Sequence, residues 1–500
     1  MKSLLLILAL LLALPAVPSV SGAPEKTSKP NFIVINIDDL GYADIGPFGS
    51  KLNRTPNLDR MAKEGRKLTC FYAAPVCSPS RAALMTGCYP KRVLPIPGVL
   101  FPSAAVGLNP AEHTVAELLK EAGYATGCVG KWHLGDQPAF LPTRRGFDYY
   151  LGIPYSNDMG PAEDGSKSNL GENLPKPRTP DPKAVDEDGI RAAAGQPPTP
   201  LLENEKVIAR VKQEELQGIV ERYTAAAVRF IQANREKPFF LYLPHTAVHA
   251  PLYPGKQFAG KSPHGIYSDW VEEVDWSVGR VLDTLRELKL DQRTLVLFTS
   301  DNGGTPRAVN TPLRGFKGST WEGGMREPTI AWWPGRIPAG TSSDAVTGML
   351  DILPTLVNLA GGKLPSDRKI DGGDIWSILA GAPGAKSPHD VFYYFRGMKL
   401  EGVRSGAWKL RLAAAAETAP KGAPGRRTKV KAGEDQLFNL DTDIGESQNV
   451  APDHPDLVQR LRALGESMDS DLGTTAAGPG VRPLGRVDNP KSLIGRDRIQ

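Results

Sequence analysis

Four cysteines in 500 residues are too few for a disulfide scaffold, and a chain of this length buries an adequate core without covalent staples. Past the N-terminus no long apolar run occurs, so nothing further along reads as a membrane span. Charge of one sign is also missing. The 60 basic and 55 acidic residues nearly cancel, and no Lys/Arg block lines one face, which argues against a nucleic-acid footprint and leaves an anionic small ligand open. Internal repeats are absent. What is present is a chain 40% hydrophobic, too apolar for disorder, with 52 Gly and 45 Pro, too loop-rich for a helical bundle.

The N-terminus reads as an export signal. Lys2 precedes the apolar run Leu4 to Leu14, and Ser19, Ser21, Gly22 and Ala23 follow, so residues 1–23 are expected to be a cleaved secretory signal peptide. The other reading, a membrane anchor, needs about 20 apolar residues, and Pro15 ends this run after eleven. A periplasmic or secreted location is expected, with a lysosomal one as the alternative, since one glycosylation sequon (Asn53-Arg54-Thr55) and few cysteines favour the former.

Three runs read as strands buried on both faces: Asn31 to Ile37, Phe239 to Leu243 and Thr294 to Thr299. Each ends in polar residues: Asp38-Asp39, Pro244-His245 leading to His249, and Ser300-Asp301-Asn302. In open α/β sheets ligands bind outside the carboxyl ends of the strands. Helical patterns lie between them. Thr114 and Glu117 form a capping box, Val220, Tyr223, Ala227, Phe230 and Ile231 share one face, and Val271, Val274, Val278, Leu282, Leu285 and Leu288 share another. The alternation predicts an α/β fold with the sheet covered on both sides. From about residue 385 the texture changes to Val391–Phe395, a hairpin with Ser405-Gly406 between Glu401–Arg404 and Ala407–Leu412, then Leu437–Leu440 and a helix through Leu457, Val458, Leu461 and Leu464. The expected domains are 24–385 and 386–500. Stretches 161–200 and 413–433 read as insertions or surface loops.

Within Cys77-Ser78-Pro79-Ser80-Arg81, Ser78 is a good N-cap and Pro79 suits the first helical position, which places Cys77 just before a helix start that favours anions. Asp38, Asp39 and Asp301, brought to one edge with the Asn302 amide, would repel one another unless a cation joined them. Four oxygen ligands without sulfur or imidazole suit Ca²⁺ or Mg²⁺ rather than zinc. Lys131 and His133, two apart in a strand-like segment, project to one face.

These residues resemble those of the type I sulfatases. Cys77-Ser78-Pro79-Ser80-Arg81 fits that family's C-x-P-x-R signature, and NFIVINIDDLGYAD (31–44), Thr55 to Gly65, TGCVGKWHLG (126–135), GIPYS (152–156), Asp301-Asn302-Gly303 and GSTWEGGMREP (318–328) follow in family order. Within the family the resemblance is greatest to arylsulfatase A and N-acetylgalactosamine-6-sulfatase. It implies an alkaline-phosphatase-like sandwich: a large, mostly parallel central sheet covered by helices, plus a smaller C-terminal domain with an antiparallel sheet and a helix. It implies oxidation of Cys77 to formylglycine (3-oxoalanine) by a maturation enzyme, and Asp38, Asp39, Asp301 and Asn302 as ligands of Ca²⁺, with Mg²⁺ possible. Arg81 would pin the formylglycine. Lys131, His249 and Lys317 would contact sulfate, His133 would hold and deprotonate the geminal diol, and Ser156 would lie in the substrate pocket. His245 is left a structural histidine. With Cys77 modified, a Cys88–Cys128 disulfide is expected, bracing the helix end and the strand feeding Lys131, with Cys70 a buried free thiol.

The activity expected is hydrolysis of a sulfate monoester, from an aryl or carbohydrate substrate. The alternatives are phosphonate or phosphate ester hydrolysis on the same fold, which the set Lys131, His133, His249 and Lys317 argues against, and a non-catalytic sulfated-glycan binder, which would have lost a site residue. Neither a nucleic-acid nor a membrane partner is expected. Substrate selectivity is placed in 157–205 and near Lys409 to Arg411.

Overall fold

All seven residues of Asn31–Ile37 are buried. Ile33, Ile35 and Ile37 face one hydrophobic cluster and Phe32 and Val34 the other, as β-branched and aromatic side chains on both parities require when both sheet faces are covered. Thr294–Ser300 and Phe239–Pro244 are equally enclosed. The computed structural model describes residues 29–175, 196–413 and 433–495. The expected signal peptide lies outside these, as do residues 176–195 of the first loop-like stretch and 414–432 of the second.

Asn31–Ile37 runs parallel between Phe239–Pro244 and Thr294–Ser300 at the centre of an 11-stranded sheet. Ala125–Val129 and Tyr149–Gly152 extend it in parallel on one side. Arg326–Trp332 turns it antiparallel on the other, beside Arg66–Tyr72. Helices Pro56–Glu64, Ile219–Ala233 and Ile266–Glu287 cover one face, and Cys77–Thr86, Val115–Glu121 and Ile352–Leu359 cover the other. This is the alkaline-phosphatase-like sandwich expected. The capping box forms: the Glu117 N–H donates to Thr114 Oγ1 at 3.1 Å, and the Thr114 N–H to Glu117 Oε2 at 2.8 Å.

The smaller sheet is antiparallel in the order Phe392–Arg396, Lys399–Ser405, Trp408–Arg411, Gln436–Asn439, with helix Pro455–Glu466 packed on it. Its hairpin turns one residue later than expected. Ser405 pairs with Trp408, so Gly406, at φ 58°, and Ala407 form the loop. Residues 161–175, the first part of the expected loop 161–200, are anchored to the fold, because Asp164 is buried in an ion pair with Arg210 at 2.7 Å.

Expectations about Lys409 and about the cysteine pairing fail. Lys409, placed near the substrate pocket, is fully buried instead: its ammonium lies 2.9 Å from Glu322, 2.8 Å from Glu446 and 2.8 Å from the Thr320 carbonyl. The Cys88–Cys128 disulfide is not formed, and all four cysteines are buried free thiols. Gly87 caps helix Cys77–Thr86 at φ 70° and turns the chain away from the sheet. Cys88 Sγ therefore faces Arg482, 3.1 Å away, and the Lys369 carbonyl at 3.5 Å, whereas Cys128 sits inside its strand between Tyr150 and Tyr242.

Both findings predict measurements. Alkylation of denatured, unreduced Cys77→Ala protein should label Cys70, Cys88 and Cys128; protection of the latter two would restore the bond. Lys409→Met should cost about 3–5 kcal/mol in denaturant unfolding, because buried Glu446 loses its cation and buried Glu322 keeps only Arg326 at 3.3 Å, and a cost near zero would contradict the network.

Candidate active site

Two neighbouring parallel strands end side by side and deliver the acidic residues. Asp38 and Asp39 follow Ile37, Asp301 and Asn302 follow Ser300, and all four are buried. Asp39 takes a left-handed conformation at φ 65°, which Asp tolerates better than most residues. Its N–H points at Asp301 Oδ1, 3.4 Å away, and Asn302 Nδ2 donates to Asp39 Oδ1 at 2.8 Å.

Cations surround this group. Arg81 forks onto Asp301 Oδ2 through Nε at 2.9 Å and Nη2 at 2.7 Å, while its Nη1 donates to the Lys131 carbonyl at 2.6 Å. Lys131 Nζ lies 2.5 Å from Asp38 Oδ2 and 3.3 Å from Ser156 Oγ. Lys317 Nζ is 2.6 Å from Asp39 Oδ1. Despite burial, these cations hold the Asp38 carboxyl well below the usual range, with Lys131 contributing most, then His249 and Arg81. Desolvation and the Asp38 charge push the Asp301 carboxyl up.

Cys77 Sγ stands between the two charge types, 3.4 Å from Asp38 Oδ1 and 3.5 Å from Lys317 Nζ. The helix begins at Cys77 itself rather than after it, and Ser78 is not its cap, because the Ser78 hydroxyl accepts the Leu100 N–H at 3.2 Å. Burial, Asp301 and Asp38 push the thiol up. The unmodified side chain is thus a protonated thiol and a poor nucleophile.

The three histidines sit in different surroundings, and the expected strand geometry of one does not hold. His133 and Lys131 lie beyond the end of strand Ala125–Val129, and His133 is at φ 61°, so they do not share a strand face. His133 Nε2–H donates to the Leu100 carbonyl at 2.9 Å, and its buried Nδ1 has no partner among the described residues. Burial, Lys131 and Arg81 hold the ring well below its usual pKa, so Nδ1 keeps a free lone pair. His249 Nδ1 contacts the Ala250 carbonyl at 2.6 Å, with Ser156 Oγ at 3.5 Å, and its Nε2 faces Asp39 Oδ2 at 3.7 Å. His245 bonds Ser277 Oγ at 3.0 Å, and burial lowers it to about 3, a structural ring.

Side chains without an earlier signal complete the surroundings. Asp158, two residues past Ser156, is held low mainly by His249, Lys167 and Lys131. Glu327, in the next strand but one from Asp38, is fully buried with neither oxygen partnered among the described residues, and burial with Asp301 and Asp39 pushes it well up, so it is uncharged. Asp158, just past GIPYS, carries no motif; Glu327 lies inside the segment GSTWEGGMREP, but nothing in that pattern marks it apart from its neighbours, and the Leu100 carbonyl, a backbone atom, carries no sequence signal at all.

The donor set suits a hard divalent cation. Ligand atoms of Asp38, Asp39, Cys77 and His249 lie within 4.8 Å of one another. The buried Asn302 Oδ1 has no hydrogen-bond partner among the described residues, which is the state of an oxygen that a cation would satisfy.

A sheet of this topology, with a cysteine at a helix start among lysines, histidines and carboxylates, defines the class of alkaline-phosphatase-like ester hydrolases. The chain belongs to the sulfatase family, whose model matches residues 30–362. It is 39% identical to human arylsulfatase A over 459 residues, covering 87% of each chain. It is 40% identical to canine N-acetylgalactosamine-6-sulfatase over 403 residues, covering 78% of this chain and 72% of that one. The crystal structure of Ps i-CgsB in complex with k-i-k-neocarrahexaose superimposes with a TM-score of 0.70 at 31% identity, covering 88% of this chain and 92% of that one. The protein is an enzyme, a sulfuric ester hydrolase.

If Asp38, Asp39, Asp301 and Asn302 hold the cation, Asp301→Ala should lose bound metal and lower activity at least ~100-fold. Elemental analysis of purified protein beside a turnover assay checks this, and full metal content in the variant would remove Asp301 from the ligand set.

Proposed function

We propose that position 77 works as formylglycine and that the natural substrate is a carbohydrate sulfate. The observation that carries the mechanism is the seat of Cys77 in the first turn of its helix, 3.4 Å from Asp38 Oδ1 and 3.5 Å from Lys317 Nζ, within C-x-P-x-R. Formylglycine supplies a hydrated aldehyde, one hydroxyl of which attacks sulfur while the other allows sulfate to leave by C–O cleavage, a release route that a plain serine lacks.

Asp38, Asp39, Asp301 and Asn302 would hold Ca²⁺, or Mg²⁺ in its place, and that ion supplies neutralisation of sulfate oxygens. Arg81 fixes Asp301 and the Lys131 carbonyl, so it orients the acidic wall against the nucleophile position. Lys131, Lys317 and His249 bind and orient the sulfate group, with Ser156 between Lys131 and His249 as a contact on the substrate side. His133, neutral with an unpaired Nδ1, takes the proton from position 77.

The name of the N-acetylgalactosamine relative and the neocarrahexaose bound to the structural neighbour support a carbohydrate substrate. Export is read from residues 1–23, to periplasm or medium, with a maturation enzyme acting on Cys77. The catalytic domain is taken as 24–385 and the smaller one as 386–500.

Two measurements test the reading. The peptide carrying residue 77 should weigh ~18 Da less than its cysteine form, and activity should follow the converted fraction and vanish in Cys77→Ala. Full turnover with unmodified Cys77 would overturn the mechanism. Paired synthetic sulfate and phosphate esters should show the sulfate strongly preferred, and a reversed preference would favour the phosphate ester alternative.

A further inference from the structure

Away from the catalytic residues, helices Gln213–Gln217, Ile219–Ala233 and Ile266–Glu287 and the segment at Gly255 enclose a cavity of about 370 Å³ that shares none of its lining with the site above. One wall is apolar, with the rings of Phe258 and Trp276 at a centroid distance of 5.9 Å. The other is acidic. Glu273 lines the cavity while only 1% exposed, and Glu214 and Glu221 are exposed at its rim.

Glu273 is held but incompletely satisfied. Its Oε2 accepts the Gly255 N–H at 2.7 Å, whereas its Oε1 has no partner among the described residues. Glycine at 255 permits the arrangement, since a Cβ there would come within 2.5 Å of that same Oε1. A free carboxylate oxygen on a buried side chain, lining the same cavity as two aromatic rings, calls for an organic cation, because ring faces attract ammonium groups and a hard metal ion needs about six oxygens that this wall does not offer.

We propose that this cavity binds an aliphatic polyamine: one ammonium on Glu273, the methylene chain along Phe258 and Trp276, and a second ammonium at Glu214 and Glu221. Three glutamates against the single Lys256 leave the lining net negative. Burial, with Glu221 adding to it, raises Glu273 to about 8. The other titratable groups facing the cavity are Glu214, Glu221 and Lys256. Below that pH the Glu273 carboxyl keeps its proton, which an arriving ammonium must displace; above it the carboxylate is ready. Affinity therefore rises as pH increases through 8.

Calorimetric titration of the full-length enzyme with spermidine at constant ionic strength tests this. Binding should tighten from below to above pH 8, weaken at least ~10-fold in Glu273→Gln, and lose its pH dependence there. Trp276→Leu, at the half-exposed wall, should weaken it several-fold while both variants hydrolyse a synthetic sulfate ester at the parent rate. Absence of spermidine binding, equal affinity in the two variants and the parent, equal binding of hexylamine with its single ammonium, or displacement by an equal concentration of Mg²⁺ would each overturn the proposal.

Discussion

Repulsion among buried carboxylates at one sheet edge is the constraint that the surrounding structure answers. Parallel pairing of Asn31–Ile37 with Thr294–Ser300 in matched register places Asp38 and Asp301 at adjacent strand ends with no freedom to separate. Unpaired, such charges are too costly to bury. Arg81, Lys131 and Lys317 each meet one or more of them at 2.5 to 2.7 Å, and they come from three unrelated parts of the chain: a helix, the segment after a strand, and a turn. Glu327, another carboxyl nearby, is pushed well up by burial and by the Asp301 and Asp39 charges.

The smaller sheet takes part in this arrangement at one remove. Lys317 rides on a turn bounded by Gly315 and Gly318, both at positive φ, and the Gly318 N–H donates to the Pro75 carbonyl at 2.7 Å, two residues before Cys77. Just beyond, Trp321 is held between the guanidiniums of Arg314 and Arg411, 3.7 and 3.5 Å from its ring centre, and Glu322 meets Lys409, Tyr72 and Tyr394. The antiparallel sheet thus fixes the segment that aims Lys317. Lys409 and Arg411 act on the site by holding its wall, not by touching what enters it.

How much of this was legible in the sequence depended on whether the governing force was local. Buried strands announced themselves through apolar residues on both parities, and the polar residues after them marked the edge where a site would form. The capping box was readable because both of its partners sit within one turn. Cys77, Arg81 and the four oxygen donors were readable as a pattern because each is fixed by its own segment. What escaped depended on distant partners. Ser78 lost its capping role to the Leu100 N–H, the direction of Cys88 was set by Gly87 and Arg482, and Lys409 was drawn inside by two glutamates far along the chain. A one-residue difference in the hairpin had the same cause, the register being decided by pairing with Gln436–Asn439 as well as by the turn.

The charge balance also bears on which ester the site favours. Asp38, Asp39 and Asp301 are matched by Arg81, Lys131 and Lys317, so a divalent cation among the oxygen donors leaves an excess of two positive charges. A sulfate monoester carries one negative charge and leaves part of that excess unspent, whereas the departing sulfate carries two and cancels it. The field is therefore better matched to the charge that develops during cleavage than to the substrate at rest, which is the condition for lowering a barrier rather than only binding tightly. A phosphate monoester dianion would cancel the excess in the ground state instead, gaining affinity without the same gain in rate. Discrimination between the two esters then follows from the count of buried charges, before any contact with the leaving group is made.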